Sequence, residues 1–499
     1  MAITRVKYDG FLKRKGNLST VSEETVVFAK MNYTVPEISS PDTAPLSLAS
    51  FTEHLALVSP AVRAEMQFTI GDTEESYDFL GARYVVYGIH LDGSLLCKMR
   101  YSQLHKWNEK LKRYFGKNRV PDFPPKSYLA QTESMAEERR LKLQEYLQKV
   151  GEDPVLSASE IFTTLLKKAQ QETFKIHPQD IHLEILLADG TKLLIDTNTC
   201  DSAERMLAIA AQKIELPRHL LEYFTLYLVC EHAEGGYSVL RKLHAFELPY
   251  VRLWSPQNGN SRIMIRKSYL DPLKDRLLMG SIAGVLLLYS QATYELARGW
   301  VKPTLDQTRK LKAFQEAAQK REFLELMREV KFYGHLQFEA CTCDYPEPNC
   351  PATVRVGNYE INCCVRLPKN HIEEFSFKIN RIRCWQIGIQ IPQEETELKL
   401  ELSFEFQDSH DSWRWVTICT HQAFLLGSCI KEISAHQPKL SGNHAEMQLE
   451  SVVLDYKPKP RSAQTTMSKH SGTAEQNQYK AVIGKCDASV FDDIADDQL

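Results

Sequence analysis

Hydrophobic and polar positions alternate with a period of two along residues 83–100, interrupted by the pair Asp92-Gly93. Alternation on both sides of an Asp-Gly pair predicts a β-hairpin closed by a tight turn. The next apolar residues recur instead at helical spacing: Leu104, Trp107 and Leu111. Arg100 is therefore expected at the point where a strand passes into a helix.

Residues 121–125 follow this helix and include three prolines. Proline fixes φ and lacks a backbone N–H, so the segment is expected to run extended and to present Lys126 at its end. A second helical pattern comes next, with Arg139 in its first turns. Its expected buried positions are Leu143, Tyr146, Leu147 and Val150. A guanidinium group can donate two parallel hydrogen bonds to phosphate oxygens, and an ammonium group attracts a phosphate as a point charge. Arg100, Lys126 and Arg139 can therefore bind an anion.

Basic residues are concentrated in the same stretch. Residues 98–142 hold 12 lysines and arginines against 5 acidic residues, a local balance of +7, whereas the whole chain carries −3. This contrast indicates a local anionic partner. On charge alone, however, a solvated basic face on a small α+β domain is the favoured explanation.

Three motifs occur in order along this stretch: Arg100-Tyr101-Ser102, Pro124-Pro125-Lys126 and Arg139. Together they resemble the phox-homology (PX) domains that bind phosphatidylinositol 3-phosphate. The resemblance implies that Arg100 holds the 3-phosphate and that Tyr101 stacks on the inositol ring. It also implies that Lys126 meets the 1-phosphate and that Arg139 holds the ring hydroxyls. The expected lipid-binding set is Arg100, Tyr101, Ser102, Lys126 and Arg139.

The rest of the chain shows three further patterns. Residues 181–229 have the order hairpin, helix, strand, which is typical of a ubiquitin-like fold. From Ile263 to Val330 the pattern is helical. A helix from His421 to Ser434 then closes a strand-rich region, as in pleckstrin-homology (PH) and phosphotyrosine-binding (PTB) lobes. The seven strand-like runs of that region are 335–343, 352–357, 359–367, 374–379, 381–390, 397–406 and 413–419.

Ubiquitin-like, helical and PH-like lobes in this order resemble a FERM module. A PX domain followed by such a module is similar to one family, the PX–FERM sorting nexins of the 17, 27 and 31 type. Residues 1–65 contain no PDZ-like pattern, which disfavours the 27 type. Landmarks such as Arg298-Gly299-Trp300 and Arg383-Cys384-Trp385 are most similar to the 31 type, followed by the 17 type.

The predicted fold class is α+β and multidomain: a PX domain, a three-lobe FERM-like module and a disordered acidic tail. Related proteins are expected to begin near Met66, so the residues before it are interpreted as an alternative start or as a gene-model artefact. The predicted boundaries are 1–65 for an N-terminal extension of no assigned role, 66–173 for the PX domain, 176–258 for the ubiquitin-like F1 lobe, 262–333 for the helical F2 lobe, 334–435 for the PH/PTB-like F3 lobe and 436–499 for the tail.

The run 381–390 carries polar groups on both faces of a strand, which favours an edge strand beside a groove. The resemblance implies that Asn-Pro-x-Tyr (NPxY) or Asn-x-x-Tyr (NxxY) tails of receptors, of the integrin and LDL-receptor kind, add a strand there. The expected cargo-binding residues are Arg383, Trp385 and Val416. From the residues alone, a Trp385 that caps the core at the sheet margin remains an open alternative.

The chain ends in an acidic segment with three spaced apolar residues, Phe491, Ile494 and Leu499. By composition, a solvated acidic tail explains this ending as well as a binding motif does. In the resembling sorting nexins a similar ending docks the Retriever (Commander) recycling complex. Gln498 stands where those proteins carry an acidic residue.

Other function classes lack their motifs. The sequence has no P-loop, dinucleotide-binding, nucleophile-elbow or HExxH pattern, so neither enzymatic activity nor a cofactor is expected. No RNA-binding signature accompanies the basic residues, so nucleic acid is not an expected partner. The cysteines from Cys341 to Cys384 include no C-x-x-C pair, which favours buried thiols over zinc. The longest uncharged stretch, residues 277–294, suits a buried helix better than a membrane span.

The sequence therefore predicts a cytoplasmic adaptor, peripheral on the early endosome membrane. It would direct cargo receptors to the plasma membrane and away from lysosomal degradation. A FERM-type linker between membrane and cytoskeleton is the alternative, although such linkers usually carry an actin-binding tail and this tail is acidic. Whether the FERM lobes also bind a small GTPase is left open.

Overall fold

In the computed structural model, the described part of the chain comprises residues 66–77, 81, 83–126, 133–233, 235–253, 260–368, 371–390, 399–408, 412–435 and 450–455. The predicted N-terminal extension 1–65 lies outside it, as do the tail residues Phe491, Ile494 and Leu499. Within this part, no helix is both long and apolar enough to cross a membrane.

The first lobe, called the PX lobe below, is a three-stranded antiparallel sheet covered by helices. The predicted hairpin around Asp92 and Gly93 is confirmed. Both residues have positive φ, 49° and 76°, as a primed two-residue turn requires. The elements are β1 (Phe68–Tyr77), β2 (Arg83–Leu91), β3 (Ser94–Arg100), α1 (Tyr101–Phe115), α2 (Glu133–Glu152), α3 (Pro154–Ser157) and α4 (Glu160–Phe174).

Aromatic side chains fill the core between this sheet and its helices. Trp107 of α1 is 2% exposed, and its ring centre lies 6.1 Å from that of Tyr146 in α2. Phe162 of α4 lies 5.8 Å from Trp107. Phe246, which belongs to the next lobe, lies 5.5 Å from Phe162. The core of the PX lobe therefore continues into the second lobe.

The second lobe, F1, is a five-stranded sheet in the order β5-β4-β8-β6-β7. The predicted hairpin, helix and strand are confirmed. The helical pattern predicted from Ile263 is wrong at its start, because β8 completes this sheet between β4 and β6. Since β8 is buried on both faces, it lacks the alternation that marks a half-exposed strand. The elements are β4 (Asp180–Leu186), β5 (Lys192–Asn198), α5 (Ala203–Lys213), β6 (Phe224–Glu231), β7 (Tyr237–Lys242), α6 (Pro249–Leu253) and β8 (Ser261–Lys267).

The third lobe, F2, is helical, as predicted. The Ser281 side chain begins its longest helix by accepting a hydrogen bond from the Gly284 backbone N–H. This helix is apolar nearly all round and is largely buried, which agrees with the expected buried helix. The elements are α7 (Asp275–Leu278), α8 (Ile282–Ala297), α9 (Leu305–Glu316) and α10 (Lys320–Met327).

The fourth lobe, F3, is a sheet closed by one helix, and the predicted strands and helix are present. The first predicted run, 335–343, divides into two short strands, and most of the other strand ends differ from the predicted ones by one or two residues. The elements are β9 (Leu336–Gln337), β10 (Cys341–Cys343), β11 (Cys350–Gly357), β12 (Glu360–Arg366), β13 (Ile372–Lys378), β14 (Ile382–Gln390), β15 (Lys399–Gln407), β16 (Trp413–Cys419) and α11 (Ala423–Ala435). Their order is β13-β12-β11-β10-β16-β15-β14, with β9 paired to β11.

A further strand, β17 (Glu450–Asp455), pairs in parallel with β14. These six residues fall in the tail, which was predicted to be mostly disordered and in which a strand was not expected. The apolar run Val452-Val453-Leu454 favours a strand. That local signal is lost when composition is averaged over the whole tail.

A buried ion network joins the hairpin of the PX lobe to F1. His244 Nε2 lies 2.6 Å from Asp92 Oδ2, and Arg241 and Arg252 both contact the Glu247 carboxylate. Burial alone would raise the pKa of Glu247, but the two arginines hold that pKa at about 2. The network is therefore a set of mutually neutralised charges rather than isolated buried ions.

The adjoining Gly93 lies against F3. A Cβ atom at Gly93 would fall 2.5 Å from the Phe424 ring of α11. Lys431 of α11 also pairs with Glu152 of α2 at 3.6 Å. The tip of the hairpin thus contacts both F1 and F3, while Arg100 lies at the other end of β3.

Candidate functional site

Arg100 ends β3 and is exposed. Its guanidinium lies 3.5 Å from the centre of the Tyr84 ring, and Nη2 donates to the Tyr84 hydroxyl at 2.5 Å. Its backbone N–H donates to Gln103 Oε1 at 2.8 Å. The backbone is therefore fixed by the first turn of α1, and the side chain is supported by an aromatic face.

Tyr101 connects three segments of the site. Its hydroxyl donates to the carbonyl oxygen of Pro124 at 2.7 Å, and its ring centre lies 5.4 Å from that of Phe123. This contact ties the start of α1 to the extended proline segment. Lys126 is exposed two residues beyond Pro124, so the same contact positions it. Ser102 is exposed on the first turn of α1.

Arg139 of α2 completes the cluster. Its guanidinium carbon lies 5.1 Å from the centre of the Tyr101 ring. It also hydrogen-bonds Tyr87, where burial raises the pKa of the phenol and Arg139 partly opposes that rise. The structure therefore brings Arg100, Tyr101 and Arg139 together and joins Lys126 to them through Pro124.

Sequence reasoning missed Tyr84 and Tyr87. A two-residue turn at 92–93 without irregularity would place residue 85 opposite Arg100. A bulge in β3, opposite Ile89 and His90, shifts the register by one, so that Val86 lies opposite Arg100. Tyr84, two residues before Val86 in β2, then shares a face with Arg100. The contact between Tyr84 and Arg100 therefore depends on the bulge, which the sequence pattern does not predict.

Trp385 of β14 is 2% exposed, so its side chain is packed in the core of F3 and does not lie on an open surface in this structure. A Cβ atom at Gly427 of α11 would lie 2.8 Å from Trp385 Cζ3, which shows that the indole packs beneath this helix. Strand parity did not reveal this burial because the strand has a bulge between Ile382 and Cys384. It breaks the alternation, so Arg383 faces outward although the simple parity count put it on the same face as Trp385.

The three predicted cargo residues do not meet on one surface. Val416 of β16 is fully buried. Arg383 is exposed; it pairs with Glu405 and lies 4.8 Å from the Trp413 ring centre. The free edge expected at β14 is occupied along residues 384–389 by β17. In this structure, a peptide that adds a strand to β14 must therefore displace β17.

The outer face of the same sheet carries two exposed tryptophans that sequence reasoning left unassigned. Trp413 and Trp415 of β16 are 37% and 46% exposed. The sequence pattern Trp-Arg-Trp could have indicated this, because alternate residues of a strand lie on the same face of a sheet.

Metal ligands do not cluster in the described ranges, where no group of three or more His, Cys, Asp or Glu residues could hold a metal ion. The described cysteines are free thiols, and Cys341, Cys343, Cys350 and Cys363 are buried. Cys364 and Cys384 are only half-buried.

Four family models match the chain in the order of its lobes. The PX domain model matches residues 88–169. The F1 lobe of the sorting nexin 17/27/31 FERM domain matches residues 181–270. The F2 lobe of the sorting nexin 17/31 FERM domain matches residues 271–331. The C-terminal domain of the sorting nexin 17 FERM module matches residues 334–438.

Individual proteins show the same similarity. Human sorting nexin-31 is 44% identical over 444 residues, which cover 87% of this chain and 100% of that protein. Human sorting nexin-17 is 41% identical over 379 residues, covering 74% of this chain and 81% of that protein. Among solved structures, the MyTH4-FERM MF2 domain of Dictyostelium discoideum myosin VII (mutant 1) covers 68% of this chain and 90% of its own, at 11% identity and a TM-score of 0.37. On the strength of the two sorting nexins and the matched lobes, the chain belongs to the sorting nexin family, in its PX–FERM group.

Proposed function

We propose that this chain is an endosomal cargo adaptor that binds phosphatidylinositol 3-phosphate membranes and the NPxY or NxxY tails of receptors. Its role is to return cargo to the plasma membrane and so keep it from lysosomal degradation. Membership of the PX–FERM sorting nexins supports the general role. None of the four matched models describes a catalytic domain, so the proposed activity is binding rather than catalysis.

The arrangement around Tyr101 is the observation that carries the lipid part of the proposal. Arg100 lies over the Tyr84 ring, Arg139 lies 5.1 Å from the centre of the Tyr101 ring, and the Tyr101 hydroxyl holds the proline segment that ends in Lys126. An inositol ring with phosphates at two positions needs separate cations for each phosphate and a flat apolar surface between them. Arg100 then binds the 3-phosphate, Lys126 the 1-phosphate and Arg139 the ring hydroxyls.

Liposome binding tests this site. Arg100→Ala is expected to weaken binding to phosphatidylinositol 3-phosphate liposomes by about 2–5 kcal/mol, because the bound 3-phosphate would lose its bidentate hydrogen-bond donor. Lys126→Ala is expected to cost less, since water or a neighbour replaces a point charge more easily. Arg113→Ala is the matched control: it removes the same charge from an exposed position at the end of α1.

Two results would refute the lipid site. In the first, Arg100→Ala and Arg113→Ala weaken binding equally, so that only general charge matters. In the second, liposomes with phosphatidylinositol alone bind as well as those with the 3-phosphate.

The cargo part of the proposal rests on β14. In PTB-type lobes an extended peptide adds a strand beside the C-terminal helix, and side-chain pockets read its tyrosine. Here β14 is the strand next to α11, and β17 already pairs with its outer edge. The proposal is that an NPxY or NxxY peptide takes the place of β17. Trp385, beneath α11, would then form part of the pocket wall.

The third contact is proposed for the C-terminus. Phe491, Ile494 and Leu499 resemble the ending by which related sorting nexins dock the Retriever (Commander) complex. Removal of Leu499 alone is expected to abolish capture of that complex and leave liposome binding unchanged. If the chain without Leu499 captures the complex as well as the full chain does, the C-terminus is not its docking segment. Tethering on one endosome would make three weak contacts act together.

A further inference from the structure

A groove of about 440 Å³ lies on the PX lobe between α1 and α4. Gln103 Nε2 donates to Glu172 Oε2 at 3.4 Å, so the beginning of α1 lies beside the end of α4. The lining residues of α4 extend from Glu160 to Glu172, which is about 18 Å at the rise of an α-helix. The groove is therefore elongated, and its volume falls within the range of small-molecule sites.

The floor of the groove is apolar. Its side chains belong to the core of the PX lobe or pack against that core: Met99, Trp107, Ile161, Leu165 and Ala169. Ile161 and Leu165 are only half-buried, so the groove leaves apolar surface in contact with water. Transfer of an apolar chain from water to such a surface is favourable.

Trp107 adds one polar group to this apolar lining. Its side chain is 2% exposed, and its indole Nε1–H has no acceptor among the residues that the structure describes. A buried donor without an acceptor costs free energy, which an acceptor on a bound molecule would recover. A ligand of this groove is therefore expected to carry an oxygen acceptor as well as an apolar chain.

The charges at the rim favour a ligand with a single negative charge. Lys168 Nζ lies 3.7 Å from Glu172 Oε1, so these two charges neutralise each other. The remaining rim charges are Lys106 and Lys110 of α1 and Glu160 of α4, a balance of 2 − 1 = +1. A carboxylate carries one negative charge, whereas a phosphate monoester carries about 1.5 to 2 at pH 7. The carboxylate is therefore the better match.

We propose that this groove binds a long-chain fatty acid. The carboxylate lies beside Lys106 and Lys110 and accepts a hydrogen bond from Trp107 Nε1–H, while the chain lies along Ile161 and Leu165. These three residues of α1 share one helical face, because they are three and four positions apart. None of the proposed phosphoinositide ligands lines the groove, so the inference does not depend on the proposed function.

Displacement of a fluorescent fatty acid, dansyl-undecanoic acid, from the full chain tests the proposal. Palmitic acid is expected to displace the probe. Hexadecanol has the same chain length without the carboxylate, and it should displace the probe about tenfold or more weakly.

Two pairs of charge reversals test the rim. Lys106→Glu combined with Lys110→Glu is expected to weaken binding of palmitic acid by about tenfold or more, because two attractions become repulsions. The matched control is Arg113→Glu combined with Lys117→Glu, which reverses two exposed charges outside the groove and should leave binding unchanged.

Trp107→Phe tests the buried donor, because phenylalanine keeps an aromatic ring but has no N–H. The affinity for palmitic acid should approach that for hexadecanol in this variant. A general loosening of the core would weaken binding of both compounds and leave the ratio of their affinities unchanged, so this ratio separates the two effects.

Four outcomes would overturn the proposal. The full chain does not bind the probe, or palmitic acid and hexadecanol displace it equally, or both pairs of charge reversals weaken binding equally. In the fourth, a peptide of residues 491–499 displaces the probe and palmitic acid does not, which would assign the groove to the acidic C-terminus instead.

Discussion

The guanidinium of Arg100 lies on the ring of Tyr84, 3.5 Å from its centre, and donates to its hydroxyl. An exposed arginine normally samples many rotamers, and ordering them costs free energy when a ligand binds. Tyr84 holds Arg100 beside Tyr101 before any phosphate arrives. At the proposed lipid site, the tyrosine would therefore act through the arginine and not through a contact of its own.

Substitution of Tyr84 tests this support. Tyr84→Ala is expected to weaken binding to phosphatidylinositol 3-phosphate by about 0.5–2 kcal/mol, the usual size of a cation–π contact. Tyr84→Phe keeps the ring and is expected to cost less. Calorimetry with a soluble short-chain lipid measures both. Equal affinity of Tyr84→Ala and the unchanged chain would show that Arg100 needs no such support.

Sequence patterns predicted the parts of this molecule that follow regular periods. The hairpin at Asp92-Gly93, the helix after Arg100 and the helical F2 lobe all carry uninterrupted signals. Two bulges, in β3 and β14, interrupt the regular period, because one extra residue reverses which side chains share a face. For that reason the pairing of Tyr84 with Arg100 was missed, and strand parity did not reveal the burial of Trp385. Strand β8 was missed for another reason, namely burial on both faces.

Trp385 is expected to be a stability determinant of F3. Trp385→Ala removes a large side chain packed beneath α11, which should lower the free energy of unfolding by about 3–5 kcal/mol. Trp415→Ala, on the exposed outer face of the sheet, should change it by less than about 1 kcal/mol. Urea unfolding followed by circular dichroism measures both variants. A Trp385→Ala chain of normal stability that no longer binds an NPxY peptide would show that the indole contacts cargo directly.

Strand β17 is expected to compete with cargo peptides. A chain that ends at Ala435 lacks β17, so its β14 edge needs no displacement and should bind an NPxY peptide more tightly. Calorimetry with the same peptide compares the full and shortened chains. As a control, liposome binding should be the same for both. If the shortened chain binds the peptide no more tightly than the full chain does, the peptide does not bind at the β14 edge.

His244 should make the contact between the PX lobe and F1 sensitive to pH. Burial lowers the pKa of His244, but the attraction and hydrogen bond of Asp92 outweigh it and raise the pKa above 6.5. Protonated His244 therefore adds stability that is complete below about pH 6.5 and is lost as pH rises through the folded-state pKa.

The measurement is the free energy of unfolding at several pH values for the unchanged chain and for His244→Gln. The unchanged chain should lose stability above about pH 6.5 more steeply than the variant. Parallel curves would mean that His244 does not titrate in this range or is not coupled to Asp92.

In the proposed function, one chain binds lipid and a receptor tail at the same time. Surface plasmon resonance can test it on four membranes: plain, with phosphatidylinositol 3-phosphate, with an anchored NPxY peptide, and with both. The membrane with both ligands is expected to bind the full chain about 100-fold or more tightly than either single-ligand membrane. Arg100→Ala should reduce this affinity to that of the membrane with peptide alone. If the membrane with both ligands binds no more tightly than the better single-ligand membrane, the chain does not use the two sites together.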